Sequence, residues 1–377
     1  MIKYFLVFLF AYNTFQKSNV YFTKVISPSS MVTIFKKLNV SLEGRVGLKI
    51  HSGELRGKYF LTPDFLEEIY NYTNGTYIEC NTAYKGGVRH STESHKNLLK
   101  DHGWYDKNRR IVLMDENPLD DFNLTVSNPE MISENIVGGH LKEFESCLVL
   151  AHLKGHGSGG FGGALKQLSI GFASQAGKTF IHTAGKFTNW TIMQENKANQ
   201  ENFTASMADA ASTIVEYFKK RKGIAFINVM ANISRLCDCA GGKAPEPKIH
   251  DIGILASTDP VAIDRACIDL IRKNVDVGTD EWLTQLNNLK GENTIFIAEK
   301  HGMGSQEYEL INIDEKEGED DYKKDNKIFI FIIIGILVFV ILLVLAVIIR
   351  FVIYKKKKLN NLEGSKNISL IKSSKGE

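Results

Sequence analysis

The sequence predicts an α/β fold with a mainly parallel sheet and flanking helices. Three observations carry this. Residues 147–153 form one continuous apolar run, the pattern of a strand buried on both faces. Shorter apolar runs at 46–50, 77–80, 224–229 and 252–256 alternate with longer segments of helical spacing. The chain has 377 residues, 44% of them hydrophobic and 24% charged, enough for a large core.

In chain order, 46–50 is the first expected strand. A helix over 63–72 follows, with Pro63 in its tolerant first turn. Strand 77–80 and a helix over 93–102 come next, then the strand at 147–153. Helical spacing returns at 205–221, before strands 224–229 and 252–256. Asp259 and Pro260 form a cap and first turn for a helix to about residue 273. A helix over 281–289 and a strand over 308–313 complete the body.

The two ends read differently. Residues 328–349 are 22 residues without charge or proline, the length of a membrane-spanning helix. Eight Lys/Arg against two Asp/Glu follow in 350–377, and seven acidic against four basic residues precede it in 314–327. The positive-inside rule puts the basic tail in the cytoplasm. Lys3 and the apolar stretch 4–12 suit a signal peptide, cut between about residues 12 and 22. The expected organisation is a signal peptide (1–22), a body (23–313), an acidic linker (314–327), a transmembrane helix (328–349) and a basic tail (350–377). That is a single-pass type I membrane protein with a luminal or extracellular body. Glycosylation acceptors at Asn39, Asn71, Asn74, Asn123, Asn189, Asn202 and Asn232 agree with it. The net charge of +3 belongs to the tail, so the body has no basic excess for a nucleic acid.

The most chemically loaded segment follows the 147–153 run. Gly155, Gly157, Gly159, Gly160, Gly162 and Gly163 make six of the nine residues from 155 to 163. A glycine-rich turn after a strand lets backbone N–H groups approach an anion. Three of these glycines satisfy the G-x-G-x-x-G spacing, but no Asp or Glu occurs from 161 to 194 to hold a ribose. The cations Lys154, Lys166, Lys178 and Lys186 point to a small anionic ligand instead. Histidines 140, 152, 156 and 182 cluster nearby, and imidazole serves as metal ligand or acid–base group. At the end of the 77–80 strand stand Glu79, Arg89 and His95, where α/β folds place ligands. Cys237 and Cys239 offer half of a soft-metal site, or a thiol redox pair. The five cysteines include no C-x-x-C, so a cysteine-bound iron–sulfur cluster is not expected.

Several motifs together resemble a known family. They are Val46-Gly-Leu-Lys-Ile-His-Ser-Gly-Glu54, Glu79-Cys-Asn-Thr-Ala-Tyr84 with Arg89, His95 and Asp101-His-Gly103, and Lys154-Gly-His156 with the run from Gly160 to Lys166. Cys237-Asp-Cys239 and the run from Asp251 to Asp264 close the set. They resemble the domain-of-unknown-function 362 family, in its branch without a ferredoxin-type cysteine insert. A weaker similarity is to nickel-pincer lactate racemase-type enzymes. His156, Phe161-Gly-Gly163, Lys166 and His182 match their spacing. That resemblance implies a nucleotide-derived anion linked at Lys166, nickel or another transition metal at His182, and acid–base work at His156 or His95. The expected function is a metal- and cofactor-dependent racemase- or isomerase-like enzyme. Its rivals are a non-catalytic surface or luminal binding module and a cysteine-based redox or metal-binding protein.

Overall fold

The structure is a computed structural model. It describes residues 17–105 and 108–314, and scattered helical positions between 335 and 355. A compact unit ends at Asp314, and a second unit follows it.

The compact unit is built on an eight-stranded sheet. Its strands are β1 (Ser18–Thr23), β2 (Val46–Lys49), β3 (Thr76–Glu79), β4 (Ile111–Leu113), β7 (Ser146–His152), β10 (Ile224–Met230), β11 (Gly253–Ser257) and β12 (Tyr308–Asn312). Their order across the sheet is β12-β1-β11-β10-β7-β2-β3-β4. Seven strands run one way. β11 alone runs against its two neighbours, β1 and β10. Two hairpins stand apart: β5 (Phe122–Thr125) with β6 (Glu134–Val137), and β8 (Lys154–His156) with β9 (Gly160–Gly162).

Strand β7 shows why the sheet is central. All seven of its residues are buried. Successive side chains point to opposite faces, so Cys147 and Val149 join one core and Leu148 and Leu150 the other. Helices Gln200–Lys219 and Pro260–Lys273 cover the first face, and helices Pro28–Lys37 and Glu67–Thr73 the second. The mixed α/β architecture with a mostly parallel sheet is thus as expected. The Asp259 carboxylate accepts the amides of Val261 and Ala262, and Pro260 opens the helix behind it.

Three expectations meet corrections. No helix among the described residues is long and apolar enough to cross a membrane. A span takes about 20 consecutive apolar helical residues, and no helix among the described residues supplies them. The remainder of 328–349 lies in part outside the described residues. The transmembrane helix does not stand, nor do the single-pass type I topology, the membrane partner and the luminal or extracellular placement derived from it. Second, the apolar run 252–256 sets no strand direction, and β11 runs antiparallel to both neighbours. Third, residues 18–22 of the expected signal peptide belong to β1, between β11 and β12. A removable leader therefore has to end before Ser18 to leave the sheet intact. Residues 1–16 lie outside the described residues.

Candidate active site

Parallel strands β2, β3, β7 and β10 all end at one edge of the sheet, and a cleft opens there. The chain leaving each strand delivers the side chains. His51 follows β2, Glu79 to Arg89 follow β3, Lys154 and His156 follow β7, and Cys239 follows β10. This is where open parallel sheets place ligands.

A buried ionic layer forms the floor. Lys49 Nζ lies 3.0 Å from the Glu79 carboxylate, with the Arg89 guanidinium 3.9 Å from its other oxygen. Burial pushes the Glu79 carboxyl up, but Lys49, His51 and Arg89 outweigh it and hold it at about 2. Arg89 also meets Glu54 at 3.3 Å, and the Tyr84 hydroxyl donates to Glu54. Beside them, Asp238 takes His152 at 2.9 Å and Lys154 at 2.7 Å. Those two partners keep it well below the usual carboxylate range despite its burial.

Above this floor, Lys166, Lys178 and Lys197 line the cleft with His156 and His182. Lys166 ends the short helix Ala164–Lys166, which continues as a π-helical turn over Gln167–Gly171. His182 is the last residue of helix Gln175–His182, its ring stacked on Phe203 at 4.4 Å. Burial and then His156 push it well below the ordinary imidazole range, so it stays neutral. No hydrogen bond to its ring nitrogens occurs among the described residues. His156 is held by its own loop: its Nδ1 accepts the amides of Gly159 at 2.8 Å and Ser158 at 3.1 Å. Burial, then Lys166, lowers it to about 4. A neutral ring that accepts at Nδ1 carries its proton on the other nitrogen.

The glycine-rich segment differs from an anion cradle. It forms the β8–β9 hairpin, with the Gly155 amide on the Ser234 carbonyl and the Ser158 and Gly159 amides on His156 Nδ1. Beyond it, the amides of Ala164 and Leu165 go to the Asp264 carboxylate at 2.8 and 2.9 Å. The anion at that helix start is thus internal. The glycines permit close approach: a Cβ on Gly155 would lie 2.1 Å from the Arg235 carbonyl oxygen, and one on Gly163 would meet Asp264. Gly162 and Gly163 line the cleft, whereas Gly155, Gly157, Gly159 and Gly160 do not.

Of the other expected residues, Glu79, Arg89 and Cys239 are in the cleft wall and His95 is not. His95 is wholly buried, with Nδ1 3.1 Å from Asn81 Oδ1 and Nε2 3.3 Å from the Ser52 hydroxyl. Burial, then Arg89, lowers it to about 3. With both nitrogens engaged it braces the loop after β2 and does not face the cleft. His51, Asp238 and Asp264 were not singled out as site residues. The signal for His51 was its place just past the end of a strand. For Asp264, 100 residues from its partners, no local signal exists.

Cys237 lies behind the cleft wall. Its sulfur is 3.9 Å from Lys166 Nζ, 3.8 Å from His51 Nε2 and 3.4 Å from the Cys239 amide. The bonded Cys239 thiol, then Lys166, His156 and His51, hold Cys237 well below the ordinary thiol range against its burial. The Cys239 thiol is pushed up by that same bond. Donor atoms of His156, Cys237 and Cys239 fall within 4.8 Å of one another, close enough to hold a metal ion. Lys166 already supplies a positive charge beside the Cys237 sulfur, which speaks against that use.

The family model for the domain of unknown function DUF362 matches residues 46–269, more than half of the chain. The chain belongs to the DUF362 family. The matched segment holds every cleft-lining residue of this DUF362 protein. No functionally curated protein matches it. Among solved structures, it is similar to the lactate racemase apoprotein from Thermoanaerobacterium thermosaccharolyticum at 13% identity and a TM-score of 0.38, over 64% of this chain and 57% of that one. A protein from Thermotoga maritima is similar at 10% identity and a TM-score of 0.36, over 72% and 58%. The DUF362 chain thus spans less than three fifths of either, and likenesses at this level carry no argument about its chemistry.

Proposed function

We propose that the cleft binds a small anionic ligand and acts on it as a racemase- or isomerase-like enzyme. One observation carries the reading: Lys166, His156 and His182, separated by 26 residues of chain, line a single cleft with Lys178 and Lys197. Cations without an equal number of facing carboxylates favour a carboxylate or phosphate ligand.

A transition metal with a nucleotide-derived anion fits the residues present. His182 is a neutral imidazole without a hydrogen-bonded nitrogen among the described residues, suited to metal ligation. Lys166 Nζ is the amine for a covalent or ionic link to the anion. When bound, such a cofactor supplies an electrophilic metal centre. The chain's own residues bind and orient. Lys178 and Lys197 attract the ligand's negative charge, and Arg89 fixes the Glu79 side of the wall. His156 stays uncharged at neutral pH, with its ring oriented by the two amides at Nδ1, so its part is to polarise a bound group by a hydrogen bond from its remaining N–H and not to release that proton.

The test is the mass and metal content of the natively purified full chain. An adduct that maps to Lys166 and disappears in Lys166→Ala, with a transition metal lost in His182→Ala, supports the reading. A chain without adduct or metal that also fails to bind phosphate or a simple carboxylate would falsify it.

A further inference from the structure

The cleft function leaves Cys237 and Cys239 without a task. Yet the fold spends several groups on one sulfur. Cys237 is 2% exposed and is approached by Lys166 Nζ, His51, His156, and the amide and thiol of Cys239. All of these can donate a proton or supply positive charge, so the surroundings fit a negative sulfur. The partner thiol lies within 4.8 Å of it, and Cys239 lines the cleft. The other three cysteines, Cys80, Cys147 and Cys267, are buried, and burial pushes their thiols up. The chain thus holds one activated pair among inert thiols. A near-buried thiolate with a resolving thiol in contact suits a reactant small enough to enter the cleft and reach past its wall.

We infer that Cys237 and Cys239 form an oxidisable dithiol whose substrate class is hydrogen peroxide or a small hydroperoxide. The Cys237 thiolate attacks one peroxide oxygen. The O–O bond breaks, hydroxide leaves and takes up a proton as water, and Cys237 becomes a sulfenic acid. The Cys239 sulfur then attacks the Cys237 sulfur. The S–O bond breaks, a second water leaves with the Cys239 proton, and a Cys237–Cys239 disulfide forms. In sum, the thiolate–thiol pair loses two electrons and the Cys239 proton, the peroxide gains the two electrons, and solvent supplies the other proton of the two waters. The groups that stabilise the reduced sulfur also make this disulfide easy to reduce again, which suits a reversible modification. Oxidation removes the negative charge beside Lys166. On the anion-binding reading proposed above, the oxidised cleft holds an anion more tightly.

The test uses the full chain, fully reduced and then freed of reductant. Equimolar hydrogen peroxide is added, and thiols are alkylated under denaturing conditions and mapped by peptide. The expected result is a fall from five free thiols to three, with both losses at positions 237 and 239 and full recovery on reduction. Cys239→Ser should instead yield a dimedone adduct on Cys237, and Cys237→Ser should leave Cys239 as a thiol. The inference is overturned if the wild-type pair stays reduced, or if Cys239 oxidises as fast in Cys237→Ser. The thiol count does not depend on ligand binding. A failure here is therefore distinct from a failure of the anion-binding reading, which phosphate titration of the reduced and oxidised chains measures separately.

Discussion

Two buried carboxylates of this protein resemble each other and do opposite things. Asp209, on helix Gln200–Lys219, is fully buried. It accepts the amides of Glu130, Met131 and Ile132 and the ring of His301 at 2.7 Å. Every partner is spent on it, and none faces a cavity. Asp238 is as buried and also sits among basic groups, yet Lys154 and His51 beside it line the cleft. The first network is closed and fixes a loop to a helix. The second is open, with donors left over for a ligand. Burial and ion pairing alone therefore do not mark a site; unused valence facing a cavity does.

That contrast can be broken. Asp209→Ala leaves His301 and three amides without an acceptor and should cost about 3–5 kcal/mol in chemical denaturation, while the folded fraction keeps its affinity for phosphate. Asp238→Ala should cost a similar amount, since it strands Lys154 and His152, and should also alter phosphate affinity. If both variants alter binding alike, the distinction between closed and open networks fails.

Acid titration probes the open side. His95 and His156 are held at about 3 and about 4, against an ordinary 6.5. Both values are depressed on folding, so below 6.5 the unfolded chain takes up protons that the folded chain refuses. Their contribution is complete above about pH 6.5 and is lost as pH falls through 4 towards 3. Denaturation midpoints measured between pH 7 and 4 should decline, and His95→Gln combined with His156→Gln should flatten the decline. An unchanged slope in that double variant would assign the acid sensitivity to other groups.

The smallest expected effect is sharper in its selectivity. Lys197→Gln should change stability by no more than about 0.5 kcal/mol yet weaken phosphate binding about tenfold, the loss of one charged contact of about 1.5 kcal/mol. Isothermal titration would show it. Unchanged affinity would remove Lys197 from the ligand's reach.

How far the sequence foretold this depends on whether the decisive interactions are local. The Asp259–Pro260 helix start and the doubly buried β7 were legible, because a cap and an apolar run are local. The grouping of His156, Lys166 and His182 was legible only through the spacing they share with racemase-type enzymes. Most of β1 was missed because residues 18–22 fell inside the expected leader of 1–22, and helix Pro28–Lys37 was not assigned. The glycine-rich turn reads as an anion cradle in sequence, and that its amides meet His156 Nδ1 and the distant Ser234 carbonyl is set by tertiary contacts. His95 looked like a site residue until its two partners, Asn81 and Ser52, were seen to turn it inward. The Cys237 environment is assembled from β2, β7 and β10 loops and a short helix, so no spacing rule could disclose it.

The pairing of β1 with β12 has a consequence for how the chain is made. Ser18 stands opposite Tyr308, so one of the first strands to be synthesised waits for the last. Until Gly253–Ser257 and then Tyr308–Asn312 emerge, Ser18–Thr23 has no neighbour on either side. The rest of the parallel sheet, β2 to β10, can assemble meanwhile, and the sequence-distant closure is slow to find. A ribosome-bound chain ending before residue 308 would carry a finished cleft beside an unsealed edge, and its β1 would be the place where a chaperone or a second nascent chain could first take hold.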